Sequence, residues 1–254
     1  MQNLEIFSTT WILAFCAVIL ASFVRGLSGF GFALILAPLL LIIMDPVTVI
    51  VITLFLGFFS NVFIVIRSVK SIDLRRIFPM SISGLLGIPI GAWIISIIAQ
   101  SVLKITIGTV IIAFAVSLAF RVSKKIRRER IGGSIAGFLS GIFMTSTSLG
   151  GPPVILFMHG QGWPKQVIHP SLAAYFLWIG TFSLIALGVS NQMHTGTLIA
   201  AASLLPAVII GVVIGMRIFY RTNQDLFRKV TLAIVIIAGV LAILSGAGVL
   251  PGLS

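Results

Sequence analysis

The sequence predicts an all-α, polytopic integral membrane protein. It divides into two inverted repeats, each a broken or re-entrant helical hairpin followed by three transmembrane helices, or about eight to ten helical membrane segments in all. Three observations carry this. Of 254 residues, 59% are hydrophobic and only 9% are charged, against about 25% charged in a soluble domain. Several apolar runs reach the ~20 residues that a helix needs to cross hydrocarbon. Two runs are interrupted near their middles by small polar residues, at Arg25-Gly-Leu-Ser-Gly-Phe-Gly31 and at Thr145-Ser-Thr-Ser-Leu-Gly-Gly-Pro-Pro153.

Charge and cysteine content exclude several classes. A net charge of +12 invites a nucleic-acid reading, but the basic residues cluster in loops, as the inner loops of a membrane protein do. No nucleic-acid partner is therefore expected. The lone Cys16 excludes an intrachain disulfide and a Cys-rich metal site. Met1 to Thr10 carries Glu5 and no basic residue, a poor start for a cleaved signal peptide, so the first apolar run is expected to be retained.

In chain order, residues 11–24 read as a short helix of about 21 Å. The Gly-Leu-Ser-Gly-Phe-Gly break follows, and a second short helix runs from about Phe30 to Met44. Asp45-Pro46 supplies an N-cap and a first-turn proline for a span to about Ile66. Arg67, Lys70, Arg75 and Arg76 mark a cytoplasmic loop. A span from about Ile77 to Ala99, a turn at Gln100 to Lys104 and a span to Phe120 complete the first half. Six basic residues between Arg121 and Arg130 mark the boundary. The expected divisions are 1–122, a basic linker 123–130, and 131–254.

The second half repeats the plan. Short helices over Ile131–Met144 and Pro153–His159 flank the polar tip. Trp163-Pro164 opens a span to Ser190, a loop without Lys or Arg follows at Asn191–Gly196, and two further spans run over Thr197–Phe219 and to about Leu250. Trp163 and Tyr220 suit an interfacial aromatic belt. Short matches relate the halves: Gly87-Ile-Pro-Ile-Gly91 with Gly211-Val-Val-Ile-Gly215, and Lys104-Ile-Thr-Ile with Lys229-Val-Thr-Leu. Ser28-Gly29 can be laid on Ser140-Gly141, with a small gap before Pro38 meets Pro152. With Arg67–Arg76 inside and Asn191–Gly196 outside, the halves have opposite orientation. Both termini then lie on the external side of a bacterial inner membrane.

Irregular backbone is tolerated at membrane depth only where protein or a cavity covers it. Short helices that begin at the tips aim amide groups and positive dipole ends inward. The expected substrate site comprises Arg25, Gly26, Ser28, Gly29 and Gly31 of the first tip and Thr145, Ser146, Thr147, Ser148, Gly150 and Gly151 of the second. Asn61 and Ser171 are added from the spans between. A guanidinium, hydroxyl donors and free amides favour an anion. All five acids, at positions 5, 45, 73, 129 and 225, lie at ends or in loops. Gly26 aside, the regularly spaced Gly87/Gly91, Gly133/Gly137/Gly141 and Gly211/Gly215 read as helix-packing positions. If the first hairpin crosses fully, Arg25 becomes a charge at a cytoplasmic end. Thr53 and Ser171 are near-equivalent, and each can instead return a hydrogen bond to its own helix. His169 is a candidate for proton coupling. The three histidines are too dispersed for a metal site, and no cofactor is expected.

At these residues the chain resembles the sulfite exporter TauE/SafE family, also called the toluene sulfonate uptake permeases. The resemblance rests on Gly26-Leu-Ser-Gly-Phe-Gly31 with Pro38, and on Gly137-Phe-Leu-Ser-Gly141 with Gly150-Gly-Pro-Pro153. It implies transport of small sulfur-containing anions such as sulfite or organosulfonates. The partners expected are therefore a small anion and the lipid bilayer, with a homodimer admitted. A passive anion channel, a membrane scaffold and a membrane-embedded lipid phosphatase are the competing readings. The last lacks an acid within any span to serve as general acid or base, and no Walker-type sequence points to direct use of ATP.

Overall fold

The computed structural model describes residues 8–28, 31–119, 125–218, 233, 236–237 and 239–248. All regular structure among them is helical. The helices are α1 (Thr9–Ser28), α2 (Phe32–Leu40), α3 (Pro46–Ser68), α4 (Leu74–Ile97), α5 (Gln100–Ala119), α6 (Glu129–Thr147), α7 (Gly151–Gly160), α8 (Lys165–Val189), α9 (Thr195–Ser203) and α10 (Leu205–Ile218). Six segments are long and apolar enough to cross a membrane: Thr9–Gly26, Pro46–Ser71, Leu74–Ile97, Gln100–Ser117, Gln166–Val189 and Thr195–Arg217.

Local chemistry sets several boundaries. Asp45 caps α3 by accepting from the Thr48 amide at 3.0 Å, with Pro46 in the first turn, as the sequence predicts. Asp73 caps α4 in the same way, through the Arg76 amide at 3.1 Å. Four boundaries differ from expectation. The first short helix extends to Ser28, and its 20 residues span about 30 Å, the thickness of a hydrocarbon core. Residues Gln100 to Lys104 open α5 rather than forming a turn; the chain breaks at Ile98, where ψ becomes extended. Thr145, Ser146 and Thr147 complete α6 instead of lying in a loop. The span expected over Thr197–Phe219 is two helices that meet at Leu204. Pro206 cannot donate to the carbonyl four residues back, and the Ala207 amide turns to Leu204 at three residues' distance, 3.1 Å.

Close helix pairs hold the frame together. Helices α4 and α6 run parallel, with glycines at the crossing. A Cβ on Gly137 would sit 2.2 Å from the Met80 carbonyl oxygen, and one on Gly141 2.0 Å from that of Gly84. Helices α1 and α10 pair in the same parallel manner. A Cβ on Gly211 would lie 2.5 Å from the Ile19 oxygen, and one on Gly215 2.3 Å from that of Phe23. Helix α3 packs against α8, and the Asp73 amide just beyond α3 donates to Ser171 near the start of α8 at 3.0 Å. These two helices are therefore antiparallel. Small residues allow such approach where lipid removes any hydrophobic drive between helices.

The starts of α4, α6 and α8 meet at one end of the molecule. There Glu129 accepts from the Trp163 indole at 2.9 Å and lies 3.7 Å from Arg76, whose guanidinium stands 5.1 Å from the Trp163 ring centre. Trp163 is buried and so does not lie in a lipid-facing aromatic belt. Tyr220 lies outside the described residues. Because Arg76 and Glu129 are 46% and 42% exposed, the pair adds little. Glu129→Gln keeps the acceptor for Trp163 and is expected to cost less than about 1 kcal/mol, seen as a small shift in thermal unfolding.

Candidate functional site

Both helix breaks open onto one cavity of about 50 Å³. The first break contributes Gly31, at φ 99°, and the first turn of α2. The second contributes Ser148, Leu149 and Gly151. Helix α3 supplies Thr53, Leu54, Gly57, Phe58 and Asn61, α1 supplies Arg25, and Met144, Pro152, Ile155 and Phe176 close the wall.

Arg25 is the charge in this wall. It is 4% exposed, and its Nη2 donates to the Asn61 Oδ1. Its Nε has no partner. None of the carboxylates among the described residues, Asp45, Asp73 and Glu129, pairs with it. Although α1 is long enough to cross a membrane, Arg25 is therefore not an exposed terminal charge. A buried cation without a counter-charge is costly, and an anion in the cavity would offset that cost. Asn61 must turn its oxygen to Arg25, because a guanidinium only donates. Its amide nitrogen is then the end left for other partners. Thr53 and Ser148 add hydroxyls that are buried and without partners.

Ser148 owes its position to the end of α6. It adopts the left-handed conformation, φ 59°, and its amide returns to Met144 while that of Leu149 reaches Phe143. Glycine usually fills this place in a helix stop. Here a serine holds a strained backbone angle and presents its hydroxyl to the cavity. At the N-terminus of α2, Gly31 provides no side-chain cap, and the first turn of that helix lines the site. At α7, Pro152 and Pro153 remove two of the donors that a helix start normally offers.

The residues picked from sequence separate into two groups. Arg25, Gly31, Asn61, Ser148 and Gly151 line the cavity together. Gly26 instead packs on α10, where a Cβ would lie 2.7 Å from the Val212 oxygen. Thr145, Ser146 and Thr147 turn their hydroxyls to carbonyls of their own helix at 3.0, 2.8 and 2.7 Å, and Thr145 also meets Ser183 at 2.8 Å. Gly150 is held by Ser140, whose hydroxyl donates to its carbonyl. Ser171 accepts from the Asp73 amide at the start of α4 rather than bonding within its own helix. Gly29 and the side chain of Ser28 lie outside the described residues. The His169 Nε2 is buried without a partner, outside the cavity wall.

Thr53 departs from its expected bond to its own helix, and sequence reasoning also passed over Met144, Gly57, Phe58 and Phe176. One signal was available. Thr53, Gly57 and Asn61 recur every four residues, so the face that carries Asn61 carries the other two. Thr53→Val keeps the shape and removes the hydroxyl. The expected result is anion binding weaker by about tenfold with no loss of thermal stability in the ligand-free protein.

These features define a multi-pass helical membrane protein with a donor-lined cavity between its helix breaks. The chain belongs to the sulfite exporter TauE/SafE family, whose model matches residues 14–242, and it is accordingly a membrane transporter. No curated protein and no solved structure matches it.

Proposed function

We propose that the protein is a secondary transporter of small anions, namely sulfur oxyanions such as sulfite or organosulfonates. It works by alternating access around the cavity between the two helix breaks, in a bacterial inner membrane. One observation carries this reading: Arg25 is buried on the cavity wall, and none of the carboxylates among the described residues pairs with it. The substrate class within the anions is supported by family membership.

The packing supports the division into two inverted halves. The first helix of each half pairs with the segment that follows the third helix of the other, α1 with α10 of the α9–α10 segment and α6 with α4, while α3 and α8 pair in antiparallel fashion. Rocking of one half against the other then exposes the site to either side in turn. His169, whose Nε2 is buried without a partner, is the residue assigned to proton coupling in this reading.

The test is thermal stabilisation of the purified protein across sulfite, sulfate, thiosulfate, organosulfonates, phosphate and acetate. A shift with a sulfur oxyanion that disappears in Arg25→Ala and Ser148→Ala is the expected result. Equal shifts in the wild type and in both variants would remove the site.

A further inference from the structure

The two halves place different chemistry at matching positions of the cavity. The match is fixed by packing. Gly87 meets the Phe138 oxygen and the Ile142 nitrogen as Gly211 meets the Ile19 oxygen and the Phe23 nitrogen. Phe138 and Ile19, like Ile142 and Phe23, are 119 positions apart. Helices α2 and α7 begin at Phe32 and Gly151, and α3 and α8 at Pro46 and Lys165, again 119 apart. This register places Ser140 opposite Ala21, not opposite Ser28.

In this register Arg25 matches Met144, and Asn61 matches Gly180. Arg25 donates to Asn61. Met144 lies over Gly180 instead, its Cε 3.4 Å from where a Cβ would stand. Arg25 and Met144 both line the cavity. The first half thus presents a guanidinium, an amide and the start of α2. The second presents a thioether, Ile155 and the donor-poor Gly-Pro-Pro start of α7, with the Ser148 hydroxyl as its polar side chain.

Resting on the anion reading above, we infer that Met144 and Gly180 set the specificity of the site. It takes a small monoanion whose oxyanion head meets Arg25 and Asn61 and whose apolar substituent meets Met144. One buried guanidinium neutralises one negative charge, and a second charge at the Met144 pole would be buried without a partner. A short alkanesulfonate is the simplest ligand of this kind.

The experiment titrates the purified full chain with methanesulfonate, ethanesulfonate, sulfate and sulfoacetate, the last carrying charge at both ends. The two alkanesulfonates are expected to bind tighter than both dianions by about tenfold or more. The double variant Met144→Arg/Gly180→Asn is expected to reverse that order. The wild-type comparison decides the matter even if the double variant fails to fold. Binding of sulfate or sulfoacetate as tight as that of methanesulfonate would overturn the inference and leave the anion site standing. Binding of none of the four, with sulfite also inert, would remove the anion reading with it.

Discussion

Replacing Arg25 by alanine is expected to abolish saturable anion binding while the protein still folds. Among the described residues Arg25 supplies the only charge on the cavity wall. Breaking a buried charge pair by removing one partner costs about 3–5 kcal/mol, or a loss of roughly two to four orders of magnitude in affinity. Without an anion the account is reversed. The ligand-free protein then carries an uncompensated buried cation, so Arg25→Ala, or the more space-filling Arg25→Met, is expected to be as stable as the wild type or more so. Parallel titrations and thermal unfolding of wild type and variant check both halves of the prediction. Unaltered affinity in the variant would place the anion elsewhere.

Enlarging Gly141 is expected to prevent the fold. A Cβ there would stand 2.0 Å from the Gly84 carbonyl oxygen, well inside van der Waals contact. The obstacle is backbone on a parallel partner helix, which cannot rotate aside as a side chain can. Gly141→Val must therefore push α4 and α6 apart along the seam that joins Gly84 and Gly87 to Gly137 and Gly141. A cost above about 3 kcal/mol is expected, read as loss of monodisperse protein on extraction. Gly196 is the control. Nothing lies within 4 Å of a Cβ at that position, so Gly196→Ala in the first turn of α9 is expected to be neutral or to stabilise by up to about 1 kcal/mol.

How far the sequence was legible follows from the range over which each feature is determined. The start of α3 is written in two adjacent residues, Asp45 and Pro46, and it falls where they place it. The glycines at 87, 91, 137, 141, 211 and 215 repeat at helical spacing, and their role in close packing follows from that spacing alone. Thr145, Ser146 and Thr147 were less legible. Their composition suits a polar loop, but each hydroxyl can also bond back into its own helix, and the helix end is set by the left-handed turn at Ser148.

The pairing of Arg25 with Asn61 joins residues 36 positions apart, and no local pattern announces it. The same holds for Met144 over Gly180. Gly87/Gly91 and Gly211/Gly215 share one rigid spacing, and each pair packs on the backbone of a parallel partner helix.

The central claim is that an anion crosses the membrane through the Arg25 cavity. Uptake of a radiolabelled short alkanesulfonate or of sulfite into proteoliposomes, with wild type and Arg25→Ala compared at equal incorporation, tests it most directly. The account predicts flux that saturates with substrate concentration in the wild type and falls to the level of protein-free vesicles in the variant. Flux that rises without saturation, or that is equal in the two proteins, would contradict it.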